Sequence, residues 1–205
     1  KTDKKVGSIV KKWQTILVAQ IKNVIKYPDE VIFEAKTPLD GRDTPIRSVQ
    51  TNLGQVISKA MSFAFNDKVD CALVNGGSIR IDDQLSGPVT AVDIFRVLPY
   101  GGGVLKVGIK GELLERVLNY GIAAQGKGAY LQRFNAHIIG NQWMIKNKVL
   151  NLNKTYTVAF SDYLLKGLDI PFLTANNKDI TSVVQPENNE LTSDIRKVVI
   201  NYLKK

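Results

Sequence analysis

Val69-Asp70-Cys71-Ala72-Leu73-Val74 runs without interruption into Asn75-Gly76-Gly77-Ser78-Ile79-Arg80. The first six residues form a short apolar run of strand length, which reads as a strand buried on both faces. The next six cannot continue as helix or regular strand, because an asparagine followed by two glycines is turn chemistry. A buried strand that delivers its carboxyl end into a polar loop closing on an arginine is the first candidate for function. The lone Cys71 lies inside the apolar run and reads as a small buried hydrophobe. One cysteine excludes an internal disulfide and a cysteine-based zinc site.

On the amino-terminal side, Leu53, Val56, Ile57, Ala60, Met61, Ala64 and Phe65 recur at helical spacing, which predicts a helix over 53–65 capped by Thr51 or Asn52. Before it, the stretch from Thr37 to Pro45, with two prolines and Asp40-Gly41, reads as turns, preceded by a short extended segment over 31–34. From Val6 to Ile25, the residues Val6, Ile9, Val10, Trp13, Ile16, Leu17, Ile21, Val24 and Ile25 mark one long amphipathic helix. Residues 1–28 are therefore expected to form an amino-terminal helix or linker, and 29–205 the main domain. The chain begins at Lys1 with no methionine or signal-like apolar region, so a preceding segment is expected to have been removed, and the sequence does not give the native start.

On the carboxyl-terminal side, Thr90-Ala91-Val92-Asp93 has capping-box spacing for a short helix to Val97. A strand near 103–109, a helix over 112–120 closed by Gly121, strands near 136–139, 142–146 and 155–160, and a last helix over 194–203 follow. Helices and strands mix without regular βαβ alternation, which predicts an α+β fold with mixed β-sheets and packed helices.

Length and composition fit a globular protein: 205 residues, 44% hydrophobic and 23% charged. No apolar stretch approaches the roughly 20 residues of a membrane-spanning helix. The net charge of +9 points to an anionic partner. Its lysines are scattered, with no basic stretch interleaved with aromatics, so dedicated nucleic-acid binding is the weaker reading. Arg42, Arg47 and Arg80 sit beside loops, where a guanidinium can bond phosphate oxygens in pairs. The glycines before Arg80 are expected to let backbone N–H groups converge on an anion.

Four separated stretches, Arg47 to Gly54, Val74 to Arg80, Val97-Leu98-Pro99-Tyr100-Gly101 and Lys154-Thr155-Tyr156 through Asp169, together with the weaker Gly128 to Gln132, resemble the carboxy-terminal domain of the 5'-nucleotidase family. They occur in the family's order and at its spacing over about Arg42 to Asp169. The resemblance implies a nucleotide-recognition domain. Arg42, Arg47 and Arg80 would bind phosphate, the alignment of Arg42 requiring a one-residue gap. Tyr100 and Tyr163 would clamp the base where the family more often has phenylalanine, and Asp169 would accept hydrogen bonds from the ribose hydroxyls. Asn75 and Gly102 would flank the base edge, although Asn75 also fits ordinary turn chemistry. One departure from the family is Gly167-Leu168-Asp169-Ile170, which stands where Gly-Gly-Asp-Gly is usual and gives up backbone freedom.

In this family hydrolysis belongs to an amino-terminal domain with two divalent metal ions held by histidines and carboxylates. The chain has one histidine, His137, in a strand-like run, and no metal-ligand motif. No cofactor is therefore expected in this chain. It is expected to bind a nucleotide beside a metallophosphatase domain, and to be inactive alone. Two alternatives stand: a separately encoded module that supplies recognition in trans, and a basic nucleic-acid-binding protein. Family resemblance alone points to the periplasm or cell surface.

Overall fold

The structure, a computed structural model, describes residues 3–22 and 25–205. Its centre is a five-stranded sheet in the order β10-β4-β9-β2-β5. The strands are β2 (Cys71–Asn75), β4 (Val104–Lys110), β5 (Leu131–Phe134), β9 (Thr155–Ser161) and β10 (Ile180–Val184). β2 runs parallel to β9, and the other pairings are antiparallel.

The expected buried strand lies at β2, all five residues of which are buried. Cys71 to Val74 are apolar because each face of the sheet meets a different core. Ala72 and Val74 belong to one cluster, with α3 (Asn52–Phe63), α4 (Ala91–Val97), α6 (Ile195–Leu203) and a ribbon of β1 (Val31–Asp40) and β3 (Gln84–Thr90). Cys71 and Leu73 point into the other, with α5 (Gly111–Ala123), the segment 164–173 and a three-stranded sheet of β6 (Ala136–Ile139), β7 (Gln142–Ile145) and β8 (Lys148–Val149). Burial pushes the Cys71 thiol far above its ordinary pKa.

The caps expected from sequence are present. Thr51 Oγ1 accepts from Gly54 N at 3.0 Å, and Thr90 with Asp93 forms the capping box of α4. Asp194 caps α6 through Arg196 N at 2.9 Å.

Three expectations change. β1 continues from Val31 through Pro38 to Asp40, where turns are predicted. Its pairing with β3 is irregular between Ala35 and Leu39, and a two-stranded ribbon tolerates a proline there. Gly121 lies inside α5 rather than ending it, because the helix presses on β5 and an added Cβ would sit 2.6 Å from Leu131 Cγ. β3, β5, β8 and β10 go unforeseen from sequence; β3 carries Gly87-Pro88, which reads as a breaker.

α1 (Lys4–Lys22) is the long amino-terminal helix. The expected continuation through Val24 lies outside the described residues. Its apolar stripe, Val6, Ile9, Val10, Trp13, Ile16 and Leu17, is exposed, Trp13 to 64%. Ile21, in the last turn, is buried in the first core cluster.

Candidate functional site

Strand direction decides where side chains gather. β2 and β9 are adjacent and parallel, so Asn75 and Asp162-Tyr163 emerge at the same edge of the sheet. β4 is antiparallel to β9, with Val104 opposite Ser161, and this brings the preceding Tyr100-Gly101-Gly102-Gly103 to that edge as well. The amino-terminal end of α6 closes the third side, where Ile195 N donates to Gly102 O at 2.8 Å.

These segments surround a cleft of about 570 Å³ whose walls include Arg47, Asn75, Arg80, Tyr100, Tyr163 and Asp169. Six of the seven residues selected from sequence thus meet in one place. Arg42 does not line the cleft; it is exposed and bonds Asp40 through both Nε (2.9 Å) and Nη2 (2.8 Å). That pairing holds the Asp40 carboxyl below the usual carboxylate range. Arg47 is half-buried and donates from Nε to Asp43 Oδ1 at 2.7 Å. Arg80 is exposed, with its guanidinium carbon 5.7 Å from the Tyr100 ring centroid.

Asp169 is fixed from two sides. Asn75 Nδ2 donates to its Oδ2 at 2.7 Å, and the Tyr163 hydroxyl donates to its Oδ1 at 3.2 Å. Asn75 is 2% exposed, and its own Oδ1 accepts from Ser78 Oγ at 2.6 Å. Its amide orients the aspartate. Partial burial first, then the negative charge of Asp169, raise the Tyr163 phenol above its ordinary pKa. In place of the last family glycine, Ile170 is fully buried and pins the loop to the core, while Gly167 supplies the turn at φ +72°.

The glycine loop is organised differently from the expectation. The N–H of Gly76 donates to Tyr130 O (2.7 Å), that of Gly77 to Gly128 O (2.9 Å), that of Ile79 to Gly76 O (3.1 Å) and that of Arg80 to Val97 O (2.9 Å). These donors are spent within the protein rather than aimed at an anion. The glycines are needed for close approach instead: a Cβ on Gly76 would meet Ile46 O at 2.6 Å, and one on Gly77 would meet Gly128 Cα at 3.0 Å.

Further wall residues escape the sequence reading, among them Ser161, Asp162 and Lys166. Asp162 accepts from Gly103 N at 3.1 Å and locks the ends of β4 and β9 together. Adjacency to Tyr163 is the one sequence signal that marks it. His137 lies on β6, outside the cleft, and among the described residues no group of three or more His, Cys, Asp or Glu is placed to hold a metal ion.

The family model described as 5'-nucleotidase, C-terminal domain, matches residues 31–175, which contain every selected site residue. The chain belongs to this family. The domain is 33% identical over 117 residues to endonuclease YhcR of Bacillus subtilis, covering 57% of this chain and 9% of that protein. It is 28% identical over 161 residues to rat 5'-nucleotidase, covering 64% and 28%. Among solved structures, the 5'-nucleotidase precursor of Thermus thermophilus superposes with a TM-score of 0.75 at 24% identity, over 93% of the domain and 39% of that chain. The domain therefore spans well under half the length of these relatives. That superposition also bears out the α+β fold.

Proposed function

We propose that the domain recognises nucleotides for a 5'-nucleotidase-type metallophosphatase. In this reading the base stacks between Tyr100 and Tyr163, Asp169 accepts from the ribose hydroxyls, and Arg47 and Arg80 bond the phosphate. Arg42 would join them after leaving Asp40. The observation that carries the reading is one cleft receiving two aromatic rings, one positioned carboxylate and two arginines from separate parts of the chain. Aromatic faces, a hydroxyl acceptor and guanidinium forks are the three chemistries a nucleotide asks for.

Hydrolysis would belong to a partner domain carrying two divalent metal ions, in cis or in trans. This chain's single histidine and its scattered carboxylates do not fit such a site. The exposed apolar stripe of α1 suits contact with that partner domain. By family resemblance the protein would act in the periplasm or at the cell surface.

Calorimetric titration with adenosine, AMP, ATP and UDP-glucose tests the reading. AMP should bind more tightly than adenosine, and heat absent for all four would sink the proposal. Affinity for nucleic acid that falls steeply with salt, alongside indifference to mononucleotides, would favour the basic-protein alternative.

A further inference from the structure

A second cleft, of about 510 Å³, shares no wall residue with the first and opens between the start of α3 and the β5–β6 turn. Its walls carry Gln55, Asn135, His137, Asn147 and Arg133, and no carboxylate. Arg133 sits between two rings, its guanidinium carbon 5.8 Å from the Tyr130 centroid and 5.3 Å from that of Trp143. Nη1 donates to Leu131 O at 3.1 Å, whereas Nε is buried with no hydrogen-bond partner. No ion pair involves Arg133 among the described residues.

That combination is costly in an unliganded protein. Arg42, Arg47, Arg96 and Arg196 each keep an aspartate, and the two other arginines without an ion pair among the described residues, Arg80 and Arg116, are exposed. Arg133 is desolvated enough to lower its pKa, yet it receives no counter-charge. Stacking against two aromatic rings and the Tyr130 hydroxyl beside it offset part of that cost, but neither supplies a full counter-charge. A flat guanidinium at the wall of a cleft lined by amides and an imidazole is complementary to a planar or tetrahedral oxyanion.

We propose that this cleft is a second ligand site, independent of the nucleotide cleft, in which Arg133 receives the carboxylate or phosphate group of a small anionic molecule. Trp143 reports on it. Its indole lies against Arg133, is 4% exposed, and donates from Nε1 to Asn119 at 2.8 Å. The one other tryptophan, Trp13, can be removed as Trp13→Phe.

In that background, inorganic phosphate and citrate are titrated separately while Trp143 emission and the ¹⁵N resonance of Arg133 Nε are followed. A saturable response to either anion is expected. It should weaken about tenfold or more in Arg133→Met, as loss of a charge-assisted bond requires, and persist in Arg47→Ala/Arg80→Ala. Response to phosphate alone identifies a phosphoryl ligand; response to citrate alone identifies a carboxylate. If the Arg133 resonance of the parent ignores both anions, the proposal is overturned, whether or not Arg133→Met folds. A response that survives Arg133→Met, or vanishes with Arg47 and Arg80, overturns it equally.

Discussion

At the scale of single residues, the proposed nucleotide cleft would divide groups that touch ligand from groups that hold those in place. Charge-assisted bonds to phosphate matter to nucleotides and not to nucleosides, so Arg47→Ala or Arg80→Ala should weaken AMP by about 1.5–3 kcal/mol and leave adenosine nearly unchanged. Calorimetry on both ligands checks this; equal losses would make the arginines structural. The tyrosines are not equivalent. Tyr100 is 71% exposed and offers its ring alone, so Tyr100→Ala should cost on the order of 1–3 kcal/mol and Tyr100→Phe almost nothing. Tyr163→Phe keeps the face but removes a donor from Asp169, and should lose a further ~0.5–1.5 kcal/mol that Tyr100→Phe does not. A folded Tyr100→Ala/Tyr163→Ala protein that binds AMP like the parent would place the base elsewhere. The arginines were legible from their chemistry and their place beside loops, whereas Tyr100, Tyr163 and Asp169 were marked by family resemblance. Asn75 was only half legible, since its partner Asp169 lies far along the chain and no local pattern reveals the bond. Ser161 and Lys166 carried no signal at all; only the packing of β9 and its following loop brings them to the wall.

Between residue and fold, the loop after β2 shows why an element can be recognised for one reason and work for another. Gly76-Gly77 was readable as non-regular, but its seating under Ile46 O and against Gly128 is tertiary and invisible in sequence. Gly76→Ala should therefore destabilise by about 1–3 kcal/mol, because a backbone carbonyl cannot yield as a flexible side chain would. Gly7→Ala, on the exposed face of α1 with nothing within 4 Å, should leave the melting temperature unchanged or raised. Thermal melts of both variants decide it, and equal melting temperatures would contradict the close-approach account. α1 itself was legible in its period and not in its surroundings. Because its stripe is exposed among the described residues, Trp13→Gln/Leu17→Gln should leave melting and AMP affinity unaltered, as melts and calorimetry will show. A large loss of stability would mean that the stripe serves this domain's own core. The same contrast runs through the strands: β2 was plain because both its faces are buried, whereas β3 and β10 are edge strands with mixed or exposed faces and no clear period.

Taken as a whole, the molecule gathers residues from Arg47 to Ile195 around one cleft and brings no cluster of metal-binding side chains to it among the described residues. Supplied with Mn²⁺, Zn²⁺ or Co²⁺, this chain alone should release no phosphate from AMP above background, since general positioning cannot generate a metal-bound hydroxide. Turnover that survives repurification would contradict the division of labour proposed above. The fold class followed from the mixture of periods, but the sheet order did not, because β2's partners are chosen by burial over long separations. That order has a temporal side. β2 ends at Asn75, yet its neighbours β5 and β9 begin at Leu131 and Thr155. During synthesis at roughly 5–20 residues per second, a largely apolar strand waits on the order of ten seconds with both edges unpaired. Truncations ending after Arg80 and before β9 should therefore aggregate even though each retains the complete glycine loop, as light scattering during refolding would show.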